Sequence, residues 1–484
     1  MTTRSLVTAI LLATLLACGC AFAQQSPFDR GVAAFTAGKH VEAKAAFDEA
    51  LKAQPNDPVI LCWRGTAALE LGELDDAIKF LTEALKKKPD YDVAHNNLGN
   101  AYLAREDYAK AEEHYKAAVA RKPDYFDAQY NLANLYAKRG DNDKAFNAFS
   151  RAVQLKPNDF ELRVNFGRTL LTAGETQKAI REYEAARKIN GENASVLATL
   201  GSLYLKARRD ADAAEAYQAA IKVDPNVPDG SLGLGTALYD TGKHAEALPL
   251  LQAAAADGKG FAAQYNLGLV LAALERYPEA EAAYRKANAI DPKDANCLNN
   301  LGWSLLKQKR AAEAIPYFQA AIKANDGLGI AYLNLALAYE KAGRADEGLA
   351  QWRVTVTKLP DSAAAHVGLA NAYYDRGQKD DALKEYLLSL ASDANNPEAH
   401  NNIGLIYLGK DNVTEAVVHF NAALKASPKY VYAINNLGVA LEKQKKPEEA
   451  KAQYRKALEI QPDYEPAKKN LERLSKPANP TANG

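Results

Sequence analysis

From about residue 24 to residue 475 the apolar positions of the chain fall into one recurring pattern. HNNLGNAYLA at 95–104 returns as QYNLANLYAK from 129, QYNLGLVLAA from 264, LNNLGWSLLK from 298, YLNLALAYEK from 332, HNNIGLIYLG from 400 and INNLGVALEK from 434. A small residue marks the register at Gly31, Gly65, Gly99, Ala133, Gly167, Gly201, Gly235, Gly268, Gly302, Ala336, Ala370, Gly404 and Gly438. Successive marks are 34 residues apart, except Gly235 and Gly268, which are 33 apart. Within each copy the apolar residues recur at three and four, the periodicity of a helix with one buried face. The copy at 95–104 predicts a first helix from about Val93 to Ala104 and a second over 109–120, AKAEEHYKAAVA. A fixed period of this length predicts a solenoid, in which each repeat buries its apolar face on its neighbours.

Three further positions complete the period. Twelve residues after the mark stands alanine, as at Ala43, Ala111 and Ala450, or Gly348. Four further on is a large residue, such as Phe47, Tyr115, Phe318, Trp352 or Tyr454. Near the end comes proline, as at Pro55, Pro89, Pro360 and Pro462, followed by Asp or Asn that stops one repeat and caps the next. Gly38, Gly72, Gly140, Gly174, Gly242, Gly343 and Gly377 share one position just past the first helix, where a left-handed residue closes it. Glycine inside a helix costs about 1 kcal/mol against alanine. Close approach of helix backbones, with the large residue filling the space, is the expected return.

This pattern resembles the tetratricopeptide repeat (TPR) family, over about residues 24–475. The resemblance implies an all-α TPR solenoid of about 13 helix–turn–helix repeats in a right-handed superhelix, with its first helices lining a concave groove that binds other proteins. The array is expected over 24–462, a C-terminal capping helix over 463–475 and a flexible tail over 476–484. Repeat 7 departs most, with Pro249 inside its second helix and no closing proline; Pro316 sits equivalently in repeat 9. Both are expected to kink their helices. Pro278 and Pro447 fall in a first turn, where proline is tolerated.

Residues 1–23 read as a signal peptide: Arg4, an apolar run Leu6–Cys18 and a small-residue site at Ala21-Phe22-Ala23. A lipoprotein signal is the alternative, with Cys18 or Cys20 as the lipidated residue. The expectation is therefore an exported chain, periplasmic or secreted in a bacterium, or lipid-anchored to a membrane, with no integral membrane span after signal removal. Lys plus Arg and Asp plus Glu number 60 each, so no basic excess points to nucleic acid. Cys62 and Cys297, seven repeats apart, are too distant for a disulfide and read as buried apolar residues.

No nucleotide-binding, zinc-protease, serine-hydrolase or CxxC motif occurs, so no enzyme, cofactor or metal site is expected. His366 and His400, at one position of adjacent repeats, are the weak metal alternative. The first helices carry a more regular feature. Two residues before the mark stand Asn97, Asn131, Asn165, Asn266, Asn300, Asn334, Asn402 and Asn436. Asn96, Asn299, Asn401 and Asn435 double the row, and Asn100, Asn134 and Asn371 follow the mark. This arrangement resembles the asparagine-lined superhelix of O-linked N-acetylglucosamine transferases, without their catalytic domain. It implies amides that pair with the backbone of an extended peptide. The competing reading has the asparagines bridging neighbouring helices. Trp63 and Trp303 are the candidate aromatic anchors of the groove. Lysines or arginines for gripping a C-terminal carboxylate are absent from the matching positions. The expected function is an exported scaffold or adaptor for peptide segments or a multiprotein complex, in envelope assembly or export. The alternative is a non-catalytic subunit presenting substrates to an enzyme. Alanine at Asn131, Asn266, Asn300 and Asn334 is expected to weaken partner binding and leave melting nearly unchanged.

Overall fold

The computed structural model describes residues 26–475; the signal, Cys18, Cys20 and the tail over 476–484 lie outside the described residues. Among the described residues there are 27 helices and no strand. They form thirteen pairs and a final unpaired helix, Glu465–Ser475. In repeat 3 the pair is Asp92–Ala104 and Tyr108–Arg121. Contacts divide the chain into two compact units, which meet in sequence at Thr241 and Gly242, inside repeat 7.

Within each unit every helix packs on its neighbours in sequence, so the core is a continuous stack. The register marks explain the approach. A Cβ on Gly99 would lie 2.6 Å from the ring of Tyr115, and one on Gly438 would lie 2.5 Å from Tyr454. Tyr115, Tyr454, Phe47 and Phe318 are all fully buried. In repeat 10 the arrangement is shifted: Trp352 presses on Gly368 of the next repeat, where a Cβ would meet the indole at 2.5 Å. Its indole N–H donates to Glu340 at 2.7 Å.

The seven expected glycines all have positive φ, between 75 and 81°. The other six repeats keep the same conformation without glycine, at Glu106, Arg208, Glu275, Lys309, Asp411 and Lys445, with φ of 56 to 63°. Capping is less uniform than the sequence suggests. Asp57, Asp159, Asp294 and Asn396 accept from backbone N–H groups of the first turn. After Pro-Asp-Tyr, however, the cap position falls to Tyr91 or Tyr125, which makes no side-chain cap. Pro278 and Pro447 begin their helices as expected. Pro316 lies inside a helix that runs unbroken from Ala311 to Ala324. The helix containing Pro249 is shorter, His244–Ala254.

In both units first helices of successive repeats approach one another closely. Pro58–Glu70, Asp92–Ala104 and Phe126–Arg139 do so in the first unit, and Ala295–Lys307, Gly329–Lys341 and Ala363–Asp375 in the second. Second helices of successive repeats show no comparable approach among the described residues. The first helices therefore form the inner side of each unit, and the candidate asparagines lie there.

Candidate functional site: an amide ladder on the inner face

The asparagines two before the mark turn their amide nitrogens toward the preceding repeat. Asn131 Nδ2 donates at 3.0 Å to both Asn96 Oδ1 and Asn100 Oδ1. Asn97 donates to Thr66 Oγ1 at 2.8 Å. Asn334 donates to Asn299 at 2.9 Å, and Asn436 to Asn401 at 2.9 Å. Where the preceding repeat has tyrosine in place of the second asparagine, its hydroxyl accepts instead, as in Asn165 to Tyr130 and Asn300 to Tyr265. Asn266 occupies the same register, half-buried and with an interaction partner of its own.

In the second unit these bonds join into a chain whose direction is fixed. Asn371 Nδ2 donates to the Glu398 carboxylate at 2.9 Å. A carboxylate only accepts, so the Asn371 oxygen must face Asn402, which donates to it at 3.2 Å. Asn401 then donates to Asn402 Oδ1 at 3.0 Å, Asn436 to Asn401, Asn435 to Asn436 at 3.3 Å, and Asn470 of the capping helix to Asn435 at 3.1 Å. Aligned amides of this kind polarise one another.

These contacts give many of the expected groove residues partners within the stack. The second row is buried: Asn96 is 4% exposed and Asn401 also 4%, so these side chains serve the joint between repeats. Asn100 and Asn371 accept from the otherwise buried Tyr115 and Tyr386 hydroxyls. Asn134 is half-buried on the same helix as Tyr130, Phe126–Arg139. Asn334 is itself buried. Alanine at Asn131, Asn300 and Asn334 would therefore strip bonds between repeats, each worth about 1 kcal/mol, and melting would not stay unchanged. Trp63 and Trp303 are half-buried and committed to packing. Trp63 lies edge-on to Phe35 at 5.3 Å and stacks on Phe47 at 5.9 Å, while Lys307 covers Trp303 at 4.8 Å. Sequence reasoning missed the tyrosine hydroxyls as members of the network; the signal was tyrosine rather than phenylalanine opposite a polar residue one past the mark.

Spare capacity on this face is mostly acceptor. Both N–H groups of Asn131 are used, as are those of Asn402, which also donates to Tyr386 at 2.9 Å. Beside the amides, the position one past the mark holds the half-buried apolar side chains Leu337, Leu405 and Val439. The inner face thus alternates amide oxygens with apolar side chains.

His366 and His400 are not brought together. His366 binds Glu385 at 2.7 Å, and His400 binds His419 at 3.0 Å. Among the described residues no cluster of three or more His, Cys, Asp or Glu side chains could hold a metal ion. Cys62 and Cys297 are buried free thiols, each pushed up to about 12 by burial. Among the same residues no helix is long and apolar enough to cross a membrane.

A stack of helix pairs with a polar ladder along its inner face defines a helical-repeat solenoid. Tetratricopeptide repeat models match residues 28–92, 96–160, 164–231, 232–295, 288–329 and 299–353, and again 397–430 and 431–464, with a TPR repeat model at 370–411. The chain belongs to the tetratricopeptide repeat family, whose fold serves as a protein–protein interaction scaffold. Its repeats are generally non-catalytic. Similar solved structures include the APC/C hetero-tetramer Cut9–Hcn1, at 15% identity over 92% of this chain and 95% of that one, with a TM-score of 0.42. Yeast Tom70 is similar at 18% identity over 86% and 94%, with a TM-score of 0.41. YrrB, a TPR protein with an unusual peptide-binding site, is similar at 24% over 38% and 95%, with a TM-score of 0.35. Comparison with curated proteins gave no match.

Proposed function

We propose that this chain is an exported scaffold that binds extended segments of other proteins along the inner face of its first helices. The observation that carries the reading is the alternation on that face. The half-buried amide oxygen of Asn131, and the second lone pair of the Asn402 oxygen, whose first takes the Asn401 N–H, offer acceptors to backbone N–H groups, and Leu337, Leu405 and Val439 offer apolar seats beside them. The ladder holds the repeats in register, so the face is already ordered before a partner arrives, which lowers the entropic cost of binding. Export rests on Arg4, the apolar run Leu6–Cys18 and Ala21-Phe22-Ala23. An exported scaffold fits a role in envelope assembly or export, free or held by a lipid on Cys18 or Cys20.

The test is a pull-down from cell-envelope extract with the wild type beside a Leu337→Arg, Val439→Arg variant. Leu337 and Val439 make no hydrogen bond in the ladder, but Val439 also packs against the core around Tyr454, so binding is compared only once circular dichroism shows the variant folded like the wild type. Partners captured by the wild type and lost by the folded variant support the reading. An unchanged set of captured proteins moves binding off this face.

A further inference from the structure

One register position is used to tie the two helices of a repeat together, and its chemistry differs between repeats. Four residues before the mark a side chain reaches across to a side chain nineteen residues later on the second helix. In repeat 5 this tie is Arg163–Glu182 at 2.6 Å. In repeat 11 it is His366–Glu385 at 2.7 Å. In repeats 3 and 12 it is a pair of histidines: His95 Nδ1 to His114 Nδ1 at 3.1 Å, and His400 Nδ1 to His419 Nδ1 at 3.0 Å.

The tautomers follow from the second nitrogen. His95 Nε2 faces the Pro89 carbonyl at 3.2 Å, and His400 Nε2 faces the Ala394 carbonyl at 3.1 Å. A carbonyl only accepts, so these Nε2 atoms carry the proton and their Nδ1 atoms are acceptors when the rings are neutral. His114 and His419 must then donate from Nδ1. Such a pair tolerates one added proton, on the far nitrogen of the donor ring. A second proton would place two N–H groups head to head and two positive charges about 3 Å apart, and the tie would break.

We infer that the histidine pairs of repeats 3 and 12 are proton-operated latches, closed when neutral and opened by acid, set at positions where repeats 5 and 11 carry ties that acid of the same strength does not break. Burial holds His95, His114 and His419 below the ordinary histidine value, and His95 and His400 push their partners in the same direction. The charges acting on the first pair are Asp92 on its first helix and Lys110, Glu113 and Arg121 on its second. Glu415 on the second helix acts on His419. The neutral rings further stack on Tyr102 at 5.5 Å and Tyr407 at 5.6 Å. Because the folded values are depressed, the latch stability is present above about pH 6.5 and is lost as pH falls through that value toward the folded ones. Opening would loosen the first helices that carry Asn96, Asn97, Asn401 and Asn402, and so the ladder itself.

Hydrogen exchange of the full chain, corrected for intrinsic rates, at pH 7.5 and pH 5.0 tests this. The helices Asp92–Ala104, Tyr108–Arg121, Pro397–Gly409 and Val413–Ala426 are expected to lose protection at the lower pH, while those of repeats 5 and 11 hold. The His114→Glu, His419→Glu variant copies the tie of repeat 11 and should abolish the loss; His114→Gln, His419→Gln, which cannot titrate at those positions, should flatten it as well. Equal loss in all repeats, or a loss that persists in both variants, overturns the inference.

Discussion

Position 64 holds an arginine where other repeats hold Leu98, Leu132, Phe166 or Leu200. It is 4% exposed, and its guanidinium bonds Asp48 at 2.6 Å and Asp76 at 3.1 Å across two repeats. It also lies over Phe80 at 4.4 Å. A buried cation left without partners is costly, whereas an apolar replacement of similar volume is often neutral. Replacing both Asp48 and Asp76 by alanine should therefore destabilise the chain by up to about 3–5 kcal/mol, less what solvent at the half-exposed acids already screens, and Arg64→Leu should rescue most of it in a urea titration. Lys309 is a second departure from the local pattern. It adopts φ of 63° where seven other repeats place glycine. Lys309→Gly should raise stability by about 0.5–1 kcal/mol, the left-handed penalty less the extra freedom of glycine when unfolded, measured by the same titration. The register alone could have flagged Lys309, since the shared glycine position is visible in the chain. The partners of Arg64 could not be read that way, because they lie on two different second helices.

Between helices, the repeating unit was legible because a small residue and a ring sixteen positions on are both fixed by one contact, Gly99 on Tyr115 and its equivalents. The ladder was legible as a row of asparagines but not as a set of bonds. Its partners lie 31 or 35 residues away, from Asn131 to Asn100 and Asn96. Its direction in the second unit depends on Glu398, 27 residues from Asn371. Gaps in the row have a physical cause that the sequence hides. Gly233 and Gly368 occupy asparagine positions, and the rings of Tyr217 and Trp352 fill the space their side chains would need. A double-mutant cycle on Asn299 and Asn334 isolates one rung. Asn334→Ala should cost about 1–3 kcal/mol because it leaves the Asn299 oxygen unpaired in a buried joint. The coupling energy should be at least about 0.5 kcal/mol, as for contacting residues. Full additivity would remove the rung from the stability of the stack.

At the largest scale, the repeats of each unit place their first helices along the inner side of that unit, so the proposed binding surface of each is spread over several repeats. Binding along such a face would gather small contributions from many repeats, and no single asparagine needs to dominate. Substitutions in the ladder are poor probes of it, because they disturb the joints between repeats as well. A photo-crosslinking side chain placed outside the hydrogen bonds of the ladder avoids that difficulty. Introduced at Leu337 and Val439, it samples the inner face; at Val354 and Val418, which are 45% and 55% exposed on second helices, it samples the opposite side. The most direct test is to irradiate these four variants in cell-envelope extract and identify the crosslinked chains and the segments attached. The account predicts recurrent adducts at Leu337 and Val439 with the same segments of the same proteins, and background labelling at Val354 and Val418. Adducts concentrated at Val354 and Val418 would contradict it and place the binding surface on the second helices.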